Sequence, residues 1–393
     1  MKRYVKPLSA LFLLLVGCML WSVGIVKYHE LDKIYGGISL RFETNPQVID
    51  SLVEIRNQQR AAGTDSNLTA WRQDYNIKIE DPSLGVCIES DVIYIWGDGK
   101  GILGTYKDVG CSMSADKSYE LWGSRDVLGK TIYIDGVSYK VACVTDMMEG
   151  VIAVRKSDYE RDMKFVSLDM EPISNQDERD VLIEEFVLQN SHSADSSINY
   201  YEMLFLTGNF MLFPVFTVAA YMFGRILTEL YCAKKHKKGF KVIACYVFFL
   251  ILWVSVCFFT GSFSFEIPGS FIPTKWSDFD FWSRVIERLK NELSGLRLMP
   301  MYALDNYFRK SFIYISIYSF LSSACFIAVL RYIRNKNLNM LIVIETVTAF
   351  IMFYAAVSAG AQYGKYSGAY WFILPGYFVF DFFINNFKLR ERT

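Results

Sequence analysis

The sequence predicts an α-helical polytopic membrane protein with about six transmembrane helices and an α+β extracytoplasmic domain between the first and second of them. Apolar residues make up 52% of the 393 residues, and they are grouped in separate blocks. Most blocks are about 20 residues long, the length that a helix needs to cross a hydrocarbon core of about 30 Å. A long polar stretch, residues 29–200, separates the first two blocks. The blocks predict membrane spans, and the polar stretch predicts a folded domain outside the bilayer.

The basic residues of the chain give these spans one orientation. Basic clusters stand at the N-terminus and after the second, fourth and sixth blocks, and such clusters mark the cytoplasmic side. Both termini are therefore expected inside the cell, and residues 29–200 outside. The first block could alternatively be a cleaved signal peptide, although it is longer than the usual apolar region of one. The blocks are 8–26, 203–221, 242–259, 311–330, 338–359 and 370–387.

These blocks divide the chain into an N-terminal transmembrane helix (1–28), the extracytoplasmic domain (29–200) and a membrane domain with five further spans (201–393). The sixth span contains Pro375-Gly376, which is expected to break it, so it could be re-entrant instead. An amphipathic helix near 276–299 either lies in the outer interface of the membrane or packs on the outer domain.

Several elements of the outer domain can be predicted from local pattern. Apolar residues at helical spacing predict a helix over 46–61, with Asn45 as its N-cap and Pro46 at its first position. A second helix is expected over 177–189. Strands are expected over 85–96 and 151–155, where apolar and β-branched residues are concentrated.

The stretch 119–144 has the most specific pattern. A short helical run ends at an aromatic-Gly pair, and a Leu-Gly-Lys turn then leads into strand 131–134, which alternates in polarity. The next two residues are Asp-Gly, which favours a type I′ hairpin turn because both positions need positive φ. A returning strand follows. The residues of this pattern are Trp122, Gly123, Leu128, Gly129, Lys130, Asp135 and Gly136.

This order of residues resembles the extracytoplasmic core domain of MacB-like (FtsX-like superfamily) ABC transporter permeases, over roughly residues 35–170. The resemblance implies a non-catalytic permease-like subunit. An ABC ATPase in a separate chain would drive movement of the outer domain, because no Walker A sequence occurs here. It also implies a lipid bilayer around the spans and a homo- or heterodimeric permease partner. No cofactor is expected.

The chain departs from that family in two ways. It has two spans beyond the family's four, and it lacks the stretch after the second span at which the ATPase docks. The segment 225–241 stands in that place and is expected to form a short basic inner loop, which would meet either an ATPase or anionic lipid headgroups. Its candidate docking residues are Arg225, Leu227, Glu229, Leu230, Lys234, Lys235, Lys237 and Lys238.

Two carboxylates within the spans are further candidates for function. Glu345 lies in the fifth block and Asp381 in the sixth, where an ionisable group is costly unless it is paired or hydrated. They are expected either to form structural ion pairs, with Arg331 or Arg334 as partners, or to line an ion pathway.

Composition argues against several other classes of protein. The 41 basic and 41 acidic residues balance, so no basic excess points to nucleic acid. The three histidines are far apart, and no catalytic set of side chains is apparent, so no enzyme is predicted. Cys87 and Cys111 could form one disulfide or remain free thiols.

The alternative function is an orphan membrane-anchored binding or sensing protein, and a membrane enzyme is third.

Overall fold

The computed structural model describes most of the chain in two compact units. One unit comprises Met1–His29, Leu206–Glu266 and Ser311–Thr393, and the other comprises Glu30–Phe205 and Ile267–Lys310. The first is helical and the second is rich in β-structure. The described residues are 2–35, 37–62, 66–97, 110–146, 148–155, 164–172, 194–237, 239–260, 280–287, 302–333, 337–358 and 368–390, with Pro273, Lys275 and Lys290.

The β-rich unit contains one large mixed sheet in the order β11-β1-β10-β3-β4-β8-β5-β7-β6, and a small pairing of β2 with β9. Three helices of the described chain precede or interrupt these strands: α1 (Lys2–Ile34), α2 (Ile49–Ala62) and α3 (Ala115–Trp122). The strands are β1 (Ile38–Arg41), β2 (Gln47–Val48), β3 (Ser66–Asp81), β4 (Val86–Gly97), β5 (Gly110–Ser114), β6 (Thr131–Ile134), β7 (Val137–Thr145), β8 (Val151–Arg155), β9 (Lys164–Phe165), β10 (Ser167–Pro172) and β11 (Ser196–Asn199).

The sheet closes on itself into a six-stranded barrel. The last residues of β3 pair with β6, so that Ile79 lies opposite Ile134, while β3 also pairs with β4. The strands β3, β4, β8, β5, β7 and β6 therefore form a ring, which leaves none of its edges unpaired. The ring is filled by a buried apolar core that includes Val92, Ile132 and Ile152.

A second core lies against the other half of β3. Strands β10, β1 and β11 extend the sheet there, and helix α2 (Ile49–Ala62) contributes Leu52 and Ile55 to the same buried cluster as Leu40 and Phe165. The long strand β3 thus belongs to both cores. It bends between them at an irregularity after Asp74, where Asn76 has a φ of 55°.

The strands expected over 85–96 and 151–155 are present within one residue of their predicted ends. The start of α2 was predicted wrongly. Gln47 and Val48 pair with β9, so the helix begins at Ile49 and Asn45 does not cap it. The helix predicted over 177–189 lies outside the described residues.

The predicted hairpin is confirmed. Strand β6 pairs with β7, and Asp135 and Gly136 between them have φ values of 48° and 79°. The preceding helix, α3 (Ala115–Trp122), starts earlier than predicted and ends at Gly123, whose φ is 66° and whose N–H bonds the carbonyl of Tyr119. Helix and hairpin follow from local sequence because one left-handed glycine ends the helix and another occupies the turn of the hairpin.

We expect Gly136→Val to lower the free energy of unfolding by about 1–3 kcal/mol, because a β-branched residue resists the positive φ of this turn. No atom lies within 4 Å of an added Cβ, so the cost is one of backbone conformation alone. Chemical unfolding of the full chain in detergent would measure it. Gly136→Asn is the control, since asparagine tolerates this conformation. Equal losses in both variants would contradict the assignment of the turn.

Five described helical segments are long and apolar enough to cross a membrane: Ser9–Ile34, Phe213–Lys235, Phe240–Phe259, Ala303–Tyr332 and Leu338–Ala355. The orientation of these helices and the total number of spans stay predictions. The helices are α1 (Lys2–Ile34), α4 (Tyr200–Met211), α5 (Phe213–Lys235), α6 (Phe240–Phe259), α7 (Ala303–Tyr332), α8 (Leu338–Ser358) and α9 (Ile373–Arg390), with a 3-10 turn at Gly368–Phe372 before α9.

Two predicted spans differ from the helices observed. The span predicted over 203–221 is divided into α4 and α5 by a break at Leu212. In the sixth, Pro375 does not break the helix, because α9 begins at Ile373 and the proline lies in its first turn, where amides lack helical partners anyway. Of the amphipathic helix predicted near 276–299, residues 281–287 are helical, and most of the rest lies outside the described residues.

Candidate functional site: a buried arginine cluster

The β-rich unit holds a buried ion pair between a strand and the start of a candidate membrane helix. Arg41 on β1 and Asp305 in the first turn of α7 are 2% and 8% exposed, and their Nη2 and Oδ1 atoms are 2.6 Å apart. The hydroxyl of Tyr200, the first residue of α4, donates a hydrogen bond to Asp305 and accepts one of 3.3 Å from Arg41. One carboxylate thus joins three elements.

Aromatic rings surround the guanidinium group. Its central carbon lies 4.5 Å from the centre of the Trp71 ring and 5.4 Å from that of Tyr302. The two rings meet edge to face at 5.2 Å. Rings at these distances attract a cation through their negative faces, and the attraction is stronger where water is excluded. They offset part of the cost of burying the charge of Arg41.

The start of α7 makes further hydrogen bonds to the same unit. The amide of Ala303 donates to Gln73 Oε1 at 2.8 Å, which satisfies one of the free donors that every helix start presents. The hydroxyl of Tyr302 donates to Glu43 at 2.7 Å, and that of Tyr35 donates to the carbonyl of Leu304 at 2.5 Å. Tyr35 follows the last turn of α1 directly. The end of α1 and the starts of α4 and α7 therefore converge on strands β1 and β3.

Burial raises the pKa of two groups in this cluster, Tyr200 and Asp169. Burial, and then the charge of Asp305, raise the pKa of Tyr200 well above its usual value, so its phenol stays protonated and acts as donor. Burial also raises the pKa of Asp169 on β10, against the opposing effects of the nearby Arg41 charge and of hydrogen bonds from Ser39 and Trp71. The hydrogen bonds and the ion pair of this cluster join neighbouring elements and hold them in position.

Sequence reasoning missed this cluster. Arg41, Asp305 and Tyr200 were not nominated as site residues from the sequence. Strand β1 gave no local signal, because polar Ser39 and Arg41 alternate with two apolar residues as in a strand with one face in solvent. The partner of Arg41 lies 264 positions away, beyond the reach of any local pattern.

The residues of the predicted motif are close together, and their contacts are structural. The indole N–H of Trp122 donates to Asp81 at 2.6 Å, and the ammonium of Lys130 lies 5.1 Å from the Trp122 ring. The amide of Gly129 bonds the carbonyl of Val141 at 2.8 Å, and Asp135 accepts a hydrogen bond of 3.4 Å from Tyr94. Leu128 is exposed in its turn. These contacts hold α3 and the turns that flank β6 against the rest of the barrel.

In the helical unit, Asp381 is fully buried on α9 and pairs with Arg225 on α5. The sequence had suggested Arg331 or Arg334 instead, because the helical neighbours of Asp381 could not be foreseen. Arg225 also donates to Asn385 at 2.8 Å and to Tyr377 at 3.3 Å. Among the described residues, Glu345 Oε1 is buried without a hydrogen-bond partner.

The proposed docking segment is not a loop up to Lys235, because α5 continues to that residue. Its first two charged residues contact α9. Arg225 pairs with Asp381, and Glu229 accepts a hydrogen bond of 2.5 Å from Lys388. Leu230 is half-buried, and Lys238 lies outside the described residues. The exposed members of the segment are Leu227, Lys234, Lys235 and Lys237. That this segment binds a partner stays a prediction.

Within the described residues no group of three or more His, Cys, Asp or Glu side chains could hold a metal ion. Cys87 and Cys111 are free thiols, so the disulfide considered for them is not formed. Cys111 lies in the barrel core, where burial raises its pKa to about 12 and keeps it a neutral thiol.

No family model matches the chain, and neither does any curated protein. Among solved structures, the chain is similar to one described as the extracellular domain of the noncanonic ABC-type transporter YknZ from Gram-positive bacteria. The similarity has a TM-score of 0.29 at 12% identity and covers 42% of this chain and 98% of that one.

Proposed function

We propose that this chain is a permease-like membrane subunit of an ABC transporter complex, in which a separate ATPase subunit drives movement of the β-rich unit. The order of elements supports the proposal: an apolar helix, a β-rich domain and further apolar helices follow one another as in the MacB-like permeases that the motif resembles. The observation that carries it is the convergence of α1, α4 and α7 on β1 and β3 around Arg41.

The cluster supplies a physical means of coupling. Helix α7 runs for 30 residues without a break. If the far end of this helix moves along the helix axis, Asp305 in its first turn moves by a similar distance. Separating Asp305 from Arg41 would leave a charge buried without a partner, which is strongly unfavourable. The cheaper response is for β1 to follow the helix, and the sheet that contains it would then move as well.

A second candidate function is an orphan membrane-anchored binding or sensing protein. One observation favours it: Arg225 and Glu229, two of the candidate docking residues, are occupied by contacts with α9. The outer unit would then report the binding of a ligand to the membrane helices without an ATPase. Copurification of an ATPase distinguishes the two functions.

We expect an ABC ATPase subunit to copurify with the full chain in mild detergent. We further expect Leu227→Ala with Leu230→Ala to reduce crosslinking to that subunit about 5-fold or more, because the centre of such an interface is apolar. Ile251→Ala with Leu252→Ala on α6 is the control, since it removes two exposed apolar side chains elsewhere in the helical unit. If no ATPase copurifies, the orphan function replaces this proposal. Unchanged crosslinking would show that 225–241 is not the docking site.

A further inference from the structure

The break between α4 and α5 interrupts the ladder of helical hydrogen bonds. Pro214 has no amide hydrogen, so it cannot bond the carbonyl of Phe210 four residues earlier. The next amide, that of Val215, bonds the carbonyl of Leu212 at 2.9 Å instead of that of Met211. The carbonyl of Met211 therefore loses its helical partner, although the residue is fully buried.

A side chain from α1 replaces that partner. The indole N–H of Trp21 donates to the carbonyl of Met211 at 2.9 Å, across 190 positions of sequence. A buried carbonyl without a hydrogen bond is costly, so this bond compensates for the helical partner that Met211 has lost. Both residues are fully buried, and water is not available to replace the tryptophan.

The position of Trp21 is fixed by its neighbours. Its ring lies 4.3 Å from that of Trp371 and 5.4 Å from that of Tyr370, measured between centroids, and Phe326 meets it edge to face at 6.2 Å. One helical turn before the break, Gly208 lies close to Tyr28 of α1, where a Cβ would come within 3.1 Å of the tyrosine hydroxyl. Helix α1 thus contacts α4 at the break through two aromatic side chains.

We propose that the break at Leu212 is a hinge between α4 and α5, and that the Trp21 indole N–H is the latch that holds it in the conformation described. When the latch opens, the Met211 carbonyl is released and α4 is free to change its angle to α5. Helices bend sharply where a proline removes a backbone hydrogen bond, and Pro214 removes one here. The hinge goes beyond the proposed function, because it would act in a transporter subunit and in an orphan sensor alike.

Hydrogen–deuterium exchange on the full chain in detergent tests the latch. We expect Trp21→Phe, which keeps an aromatic ring but removes the N–H, to speed exchange of the amides in 208–218 by about 5-fold or more. The matched control is Trp253→Phe on α6. Trp253 is also buried and donates its indole N–H, at 3.1 Å, to the carbonyl of Ala219. That carbonyl lies inside the regular helix α5, where it keeps its helical backbone hydrogen bond.

Pro214→Ala tests the hinge by an independent route. Alanine restores the missing amide, so α4 and α5 can join into one helix and exchange over 208–218 should slow. In that background Trp21→Phe should lose most of its effect, because Met211 would have a helical partner again. The proposal is overturned if Trp21→Phe and Trp253→Phe change this exchange equally, or if Pro214→Ala leaves it unaltered. Neither outcome bears on whether an ATPase copurifies.

Discussion

Asp305→Leu is expected to lower the free energy of unfolding by about 3–5 kcal/mol, because it leaves the Arg41 guanidinium buried without its counter-ion. Arg41 is 2% exposed, and its Nη1 atom already lacks a hydrogen-bond partner among the described residues. The rings of Trp71 and Tyr302 cannot replace the carboxylate, since a cation–π contact is worth about 0.5–2 kcal/mol. Chemical unfolding of the full chain in detergent, followed by tryptophan fluorescence, would measure the loss.

Two variants separate this effect from a general sensitivity to lost charge. Asp146→Ala breaks a pair with Arg125 whose side chains are 70% and 55% exposed, and it should cost less than about 1 kcal/mol. Arg41→Met combined with Asp305→Leu removes both buried charges, and it should cost less than Asp305→Leu alone. If the double variant is as unstable as the sum of its parts, the two residues do not act as a pair.

Local sequence was sufficient to predict the parts of the fold that depend only on residues close together in the chain. The hairpin at Asp135 and Gly136 follows from two positive φ angles, and the apolar helices follow from hydropathy alone. Closure of the barrel does not, because it depends on β3 meeting β6 more than 50 positions later. Strand β3 was itself hard to predict, since the bulge after Asp74 interrupts its alternation of polar and apolar residues.

Two prolines in the predicted spans show why spans are harder to predict than apolar blocks. Pro214 and Pro375 both lie within the blocks predicted to span the membrane. Each is tolerated near the start of a helix, where amides have no helical partner to lose. Pro214 nevertheless marks a division, because another helix ends just before it at Met211, whereas only a 3-10 turn precedes α9. The sequence around a proline does not reveal which elements flank it.

The candidate site was invisible for the same reason as the barrel closure. Arg41 and Asp305 are charged residues in apolar surroundings, and each alone fits a solvated loop or a helix end. Only the fold shows that both are buried and that Tyr200 joins them. Asp381 is an intermediate case, because its place within an apolar block did predict a buried carboxylate that needs a partner.

Asp381→Leu is expected to lower the free energy of unfolding by about 3 kcal/mol or more, because Arg225 would keep its charge among apolar helices without a counter-ion. Asp381 is 0% exposed and Arg225 only 21%. The hydrogen bonds of Arg225 to Asn385 and Tyr377 persist in this variant, but both partners are neutral and do not balance the charge. The midpoint of chemical unfolding in detergent would record the change.

The neighbouring pair between the same two helices provides the control. Lys388 is 40% exposed and bonds Glu229 at 2.5 Å, so Lys388→Ala should cost less than about 1 kcal/mol, the scale of exposed pairs. Arg225→Met combined with Asp381→Leu should recover much of the loss, since it leaves no charge unbalanced. Equal effects of Lys388→Ala and Asp381→Leu would mean that burial does not set the strength of the contact between α5 and α9. In that case Arg225 would be as available to a docking partner as the exposed lysines that follow it.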